Sequence, residues 1–336
     1  MTAKNPSAEL MQLVNAFRAS RAVHVVAELG IADLLKDGPR KAEELAAATS
    51  THPRALYRIL RTLAAVGVFH EGSERTFSLT EVGQCLRSDA PDPVYAWTRF
   101  VGRPYSWQTW GELLQSVRTG ESVFRHVHGC EAFEYRARHP EENLLYDRAQ
   151  AEISRGISDA VAKSYDFSAF KRIVDVGGGQ GGLLVRVLQV WENLRGVLFD
   201  QPQVVANADK VLAAAGVLDR CEIVGGSFFD SIPAGADGYL MKAIVHNWDD
   251  EASIRVLRNI REAMRPDGKL LIVERVVGGP NEDLEAKLSD LQMMVALGGL
   301  ERTLEEFTGL FDASGFRLAR VVPTGTRYGI IECIPA

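Results

Sequence analysis

The chain has 336 residues, 46% hydrophobic and 24% charged, which suffices for about two domains with packed cores. Its net charge of −6 argues against nucleic acid or an anionic membrane as the main partner, and no stretch approaches the roughly 20 apolar residues of a membrane span. The four cysteines (Cys85, Cys130, Cys221, Cys333) form no CxxC pair, and the polar start MTAKNPSAE lacks a signal-peptide core. Both features read as a cytoplasmic protein with reduced thiols and no structural zinc.

Residues 8–35 carry helical periodicity through Leu10, Leu13, Val14 and Phe17, then Val23, Val26, Leu29 and Leu34, with Gly30 as a break. The apolar face of residues 8–30 reads as a subunit interface. A short amphipathic helix follows at 41–49. Ser50-Thr51-His52-Pro53 then caps a helix at 54–66, whose stripe is Leu56, Ile59, Leu60 and Leu63. Residues 68–70 and 76–79 make a hairpin around a polar tip. Helix, turn, helix and wing spell a winged helix, which raises a DNA-binding regulator as one reading. Arg54, Arg58 and Arg61 fall on the second helix, but Glu43, Glu44, Glu71 and Glu74 dilute any basic face, so a solvated surface accounts for them.

Pro91, Pro93 and Pro104 mark a loop-rich junction. Aromatic residues gather there, from Tyr95 and Trp97 through Tyr105 and Trp107 to Phe133, Tyr135 and Tyr146. They serve either as packing between helices or as a wall around a flat, largely apolar substrate. His126, His128 and His139 form no helix-spaced pair with a carboxylate ligand, so no metal site is expected. A long helix over 141–158 leads into the next half.

Residues 171–182, KRIVDVGGGQGG, read as strand, glycine turn and helix. A plain turn needs one or two glycines; here Gly177, Gly178, Gly179, Gly181 and Gly182 let backbone N–H groups approach a ligand at a helix N-terminus. Gly177, Gly179 and Gly182 satisfy G-x-G-x-x-G, so a nicotinamide dehydrogenase is a second reading. Strands follow at 196–199, 221–224, 238–241 and 269–274, with helices at 204–215, 252–264 and 304–313 and a terminal hairpin at 316–322 and 328–334. The fold class is α/β: a Rossmann-like doubly wound sheet ending in an antiparallel hairpin, with ligands at the carboxyl ends of its strands. Asp200, ending the second of these strands, suits a ribose diol with either cofactor. Asp175 before the glycines, the terminal hairpin and the run LMKAIVHNWDD (240–250) tilt the balance from nicotinamide toward a nucleoside methyl donor.

On these segments, with LFDQP, GGSFFDSIP and GGLERTLEEF, the chain resembles a class I S-adenosylmethionine-dependent O-methyltransferase of the caffeate/hydroxyneurosporene type. The resemblance covers nearly the whole chain. It implies a winged-helix dimerisation domain over 1–100, a helical bridge over 101–160 that contributes to the substrate pocket, and a donor-binding catalytic domain over 161–336. It implies an intertwined homodimer, a winged helix that no longer binds DNA, and methylation of a hydroxyl on an aromatic small molecule. The donor S-adenosylmethionine would lie over Gly177 and Gly179. Asp200 would take its ribose hydroxyls, Phe228 and Ser227 its adenine side, and Lys242 the strand edge beside it. Tyr146 and Ser154 would lie nearby on the helix before the sheet. His246 would be the general base that deprotonates a phenol, flanked by Glu274 and Glu301. Relatives often have Asp where this chain has Ser227, Met where it has Gln150, and His-Asp-Trp where it has His246-Asn247-Trp248. Relatives of this fold also put the bound donor to hydroxylation or decarboxylation, and that alternative stays open at this point.

Overall fold

A computed structural model describes residues 5–336. The chain divides into two compact units, one made of the residues up to Gly111 with Phe133–Ile153, the other of Glu112–Ala132 with Ser154–Ala336. The stretch 101–160, expected as a bridge of its own, is thus shared between the units. It holds the short helices Pro104–Gly111, Leu113–Thr119, Phe124–His128 and Ala132–Arg138 and the start of the long helix Pro140–Ser164. Pro104 opens a helix there, a position where its missing N–H costs nothing.

In the first unit, Asn5 accepts a hydrogen bond from the Ser7 N–H and starts the helix Pro6–Glu28. Gly30, at φ +65°, turns the chain at its end. Helices Ala42–Ala48 and Pro53–Ala65 and the strands β1 (Arg40–Lys41), β2 (Phe69–Glu71) and β3 (Thr76–Leu79) complete a winged helix, with β3 central and antiparallel to both others. Its core joins Val26, Ile31, Leu45, Leu56, Leu60, Leu63, Phe69 and Phe77, all buried. The two-residue β1 has too few positions to show alternation, so the sequence gives no sign of it.

The second unit is built on a seven-stranded sheet of β4 (Arg172–Val176), β5 (Arg195–Asp200), β6 (Cys221–Gly225), β7 (Gly238–Lys242), β8 (Lys269–Glu274), β9 (Phe316–Pro323) and β10 (Gly329–Pro335). The order is β6-β5-β4-β7-β8-β10-β9, parallel from β6 to β8, with β10 antiparallel to both β8 and β9. Side chains alternate between two cores. Ile173, Leu240, Leu271 and Val273 enter one; Val174, Val176, Tyr239, Met241 and Ile272 enter the other. The strand order reverses at β4, so the crevice beyond β4, β5, β7 and β8 is where such a sheet takes a ligand.

Two differences from the sequence reading matter. The helix expected at 204–215 is two pieces, Pro202–Val205 and Ala208–Ala214, broken at Asn207. A helix at Leu284–Ala296 escaped notice because its apolar residues are spread around it: Leu284 and Leu288 are exposed while Ala286 and Val295 are buried. Among the described residues no helix is long and apolar enough to cross a membrane.

Candidate active site

The glycine loop follows β4 directly. Gly177 and Gly179 lie at φ +71° and +61°, a region L side chains rarely adopt. A Cβ on Gly177 would meet Ile244 Cδ1 at 2.6 Å. The Gly177 N–H donates to the Phe199 carbonyl at 2.8 Å, and the Gly179 N–H to Asp200 Oδ2 at 2.8 Å. Asp200 thus ties the loop to the end of β5, while its Oδ1 accepts from the Gln201 N–H. Burial raises its carboxyl pKa, against the two N–H groups that favour the charge.

Beneath the loop, Asp175 is buried and its Oδ2 has no partner. Burial pushes its pKa up to about 7, opposed by the ammonium of Lys242 and reinforced by Asp200. Lys242, at the end of β7, donates from Nζ to Ser154 Oγ at 3.0 Å. Burial lowers its pKa, against the pull of Asp175 and Glu274. Phe228 stands beside Gly177, its ring near Phe229 and Trp248, and its carbonyl accepts from Asn259. The Ser227 hydroxyl accepts from the Phe229 N–H at 3.3 Å, so it also caps its own turn. Tyr146 belongs to the first unit, where the Arg136 guanidinium lies 4.1 Å from its ring centroid and Phe100 packs edge-on.

These groups suit S-adenosylmethionine. The loop is bare backbone and Asp200 offers paired acceptors for a diol.

His246 sits on the turn Val245–Asn247 that follows β7. The turn is clamped from several sides. Glu274 Oε1, at the end of β8, accepts from the N–H groups of Ile244 and Val245 at 2.9 Å and of His246 at 3.4 Å. Arg302, fully buried, donates to the carbonyls of Val245 and Trp248 and to Asp250. Asn247 Nδ2 donates to the Ala243 carbonyl at 3.1 Å, a bond that an ionised Asp at this position has no proton to make. Gly299 lies flat against the turn, since a Cβ on it would fall 2.1 Å from the His246 carbonyl oxygen.

Both carboxylates approach the same ring nitrogen. His246 Nδ1 is 3.0 Å from Glu301 Oε1 and 3.5 Å from Glu274 Oε2. That arrangement places the Nδ1 proton toward the acids and leaves Nε2 to receive one. Burial disfavours the imidazolium, but Glu274 and Glu301 outweigh it and hold the pKa above the ordinary 6.5, with Arg275 pulling the other way. Burial likewise works against charge on Glu301, yet His246, Ser289 and Arg275 keep its pKa below the ordinary value. Burial raises that of Glu274. The spacing of the three groups would also admit a cation. Ser289 and Arg275 donate to Glu301 Oε1 and the N–H groups of the turn to Glu274 Oε1, while the second oxygen of each acid is buried without a hydrogen-bond partner.

The structure brings Gly177, Gly179, Asp200, Ser227, Phe228, Lys242, Ser154, His246, Glu274 and Glu301 into the second unit. The sequence reading missed Arg275, Ser289, Gly299 and Arg302. Arg302 was within sight, next to Glu301 in the quoted GGLERT run. Ser289 lies on the unread helix and carried no signal.

An O-methyltransferase domain matches residues 110–317, and an O-methyltransferase dimerisation domain matches residues 11–89. The chain belongs to the S-adenosylmethionine-dependent O-methyltransferase family. It is 44% identical to a phenazine O-methyltransferase of Lysobacter antibioticus, over 98% of this chain and 96% of that one. The solved structure of LaPhzM superposes with a TM-score of 0.94 at 43% identity, covering 99% of this methyltransferase and 100% of that chain. An O-methyltransferase from neocarzinostatin biosynthesis, solved with S-adenosylmethionine and 2-hydroxy-5-methyl naphthoic acid, has a TM-score of 0.83 at 32% identity, covering 94% and 96% of the two chains.

Proposed function

We propose that this O-methyltransferase methylates a phenolic hydroxyl of an aromatic secondary metabolite, with His246 as the general base. The observation that carries the reading is the pairing of the His246 imidazole, through Nδ1, with Glu301. A phenol of pKa near 10 holds its proton at neutral pH and is a poor nucleophile while it does. A neutral imidazole with its Nδ1–H directed at a carboxylate takes that proton on Nε2, and the carboxylates stabilise the cation that results. S-adenosylmethionine, when bound, supplies an electrophilic methyl group on a sulfonium.

The chain's own residues bind and orient. The N–H groups of the glycine loop and the Asp200 carboxylate hold the nucleoside of the donor. Phe228 offers a ring face to the adenine, and Ser227 a hydroxyl without the charge that relatives place there. Lys242, fixed by Ser154, neutralises part of the charge of Asp175 and Glu274 beside it. The first 100 residues pair two copies into a homodimer; their dimerisation-domain match and the exposed Leu10, Leu13, Val14 and Phe17 support that reading.

The test is incubation of the purified protein with S-adenosylmethionine and a panel of phenols, read by mass spectrometry for the gain of one methyl. His246→Ala is expected to keep donor affinity by calorimetry and to lose about 10²-fold or more in turnover. Wild-type turnover in that variant leaves positioning alone as the mechanism.

A further inference from the structure

Arg275 follows Glu274 at the end of β8 and is buried, with 9% of its surface exposed. It does not touch His246 by any hydrogen bond. Its Nη1 donates to Glu301 Oε1 at 3.1 Å and to the Tyr328 hydroxyl at 3.0 Å, and its Nε is buried without a partner. Glu301 Oε1 therefore collects three donors: Arg275, Ser289 Oγ at 2.7 Å and His246 Nδ1. A buried guanidinium is costly, and for packing alone an apolar side chain would serve this place at least as well. We propose that Arg275 is a positioning residue that, through Glu301, sets the pH at which His246 becomes able to accept the proton of the methyl acceptor; this rests on the general-base reading above.

The charges around the imidazole fix the direction. The groups facing the imidazole are Glu274 from β8, Glu301 from the segment before the helix Leu304–Ser314, and Arg275. Beyond them, Lys242 acts on Glu274, Asp290 accepts the Glu301 N–H, and Arg327 lies by Tyr328. Tyr328 stays neutral, since burial pushes its pKa up to about 12. Two acids and one imidazole thus share a buried cluster with one fixed cation bonded into it. The working state needs Glu301 ionised and His246 neutral, so it is reached only when the last exchangeable proton has left. Taking away the fixed positive charge makes that proton harder to remove, whichever of the coupled sites carries it.

Arg275→Gln is expected to move the acid limb of the kcat/KM profile to higher pH by about one unit, and Arg275→Lys, which restores the charge, to return most of the shift. Donor affinity by calorimetry is expected to stay at the wild-type value in both. A residue that only packs would lower kcat or stability without displacing the limb. A second measurement needs no turnover. In protein carrying labelled histidine, with the His246 ring resonance assigned by its loss in His246→Gln, the imidazole titration is expected to rise by a similar amount in Arg275→Gln. If the wild type methylates no phenol, the general-base reading fails while the titration still tests the role of Arg275. An unmoved titration in Arg275→Gln, or a shift that Arg275→Lys does not reverse, overturns the proposal.

Discussion

The Nδ1 atom of His246 and Oε1 of Glu301 lie 3.0 Å apart, both in buried side chains. Since the carboxylates outweigh burial and hold the imidazole pKa above 6.5, the neutral base is lost as pH falls through that raised value. Glu301→Gln keeps the shape but removes the charge that favours the imidazolium. The acid limb of kcat/KM is therefore expected to move to lower pH, opposite to the Arg275→Gln shift, while the plateau falls by about tenfold or more because the amide stabilises the protonated ring poorly. Stability carries the same sign. A histidine whose folded pKa is raised contributes stability below the unfolded value of 6.5, and the contribution fades as pH rises through the folded value. Melting temperatures across this window are expected to fall less steeply in Glu301→Gln than in the wild type.

Gly299 is placed against backbone, not side chain. A Cβ there would lie 2.1 Å from the His246 carbonyl oxygen and 2.6 Å from the Asn247 carbonyl carbon, and neither atom can move aside by changing a rotamer. Gly299→Ala is expected to displace the turn, lowering kcat about tenfold or more with donor affinity kept, and destabilising the fold by about 1–3 kcal/mol. Gly298→Ala is the comparison, because its added Cβ meets only Ser122 Cβ at 3.7 Å and the φ of +75° alone makes the cost. That cost is about 1 kcal/mol, with turnover largely kept. Equal turnover in the two variants would contradict the placement of Gly299.

What could be read from the sequence follows from how each feature is encoded. The parallel sheet was legible because fully buried strands such as Ile173–Val176 and Leu270–Val273 are short apolar runs bounded by glycine and charge. The glycine loop was legible because positive φ angles demand glycine. His246, Glu274 and Glu301 came from motif resemblance, not from spacing, since 28 and 55 positions separate His246 from the two acids. Arg275, Ser289 and Arg302 were not legible as site residues. A buried arginine looks like a solvated one in sequence, and only the fold shows that its donors point inward at Glu301 or at the carbonyls of the turn. The two-piece helix after β5 was missed for a related reason: apolar periodicity runs through the break at Asn207 unchanged.

Asp200 shapes the glycine loop and, in the proposed function, takes the donor's ribose; substitution can separate the two. Its Oδ2 holds the Gly179 N–H and its Oδ1 the Gln201 N–H, so the carboxylate shapes the loop before any ligand arrives. Asp200→Asn keeps one carbonyl acceptor for the loop but loses the charge and an acceptor for the ribose hydroxyls. It is expected to weaken donor binding about tenfold by calorimetry, and Asp200→Ala, which also frees the loop, by roughly a hundredfold. Wild-type affinity in Asp200→Ala would refute the assignment.

The helix Pro6–Glu28 leaves Leu10, Leu13, Val14 and Phe17 at 61%, 71%, 59% and 51% exposure, on the i, i+3, i+4, i+7 positions of one face. Four large apolar side chains in one stripe are costly on a surface bathed by water, and burying them against the same stripe of a second copy recovers roughly 1.5–3 kcal/mol for each fully covered side chain. Leu13→Arg with Phe17→Glu leaves the internal core of the first unit untouched, because neither residue contributes to it. The double variant is expected to keep its circular dichroism and melting temperature at low concentration within a few degrees. In sedimentation velocity the wild type is expected to run at twice the 36.9 kDa chain mass and the variant at the chain mass itself. A variant that remains dimeric would place the interface on another face of the molecule.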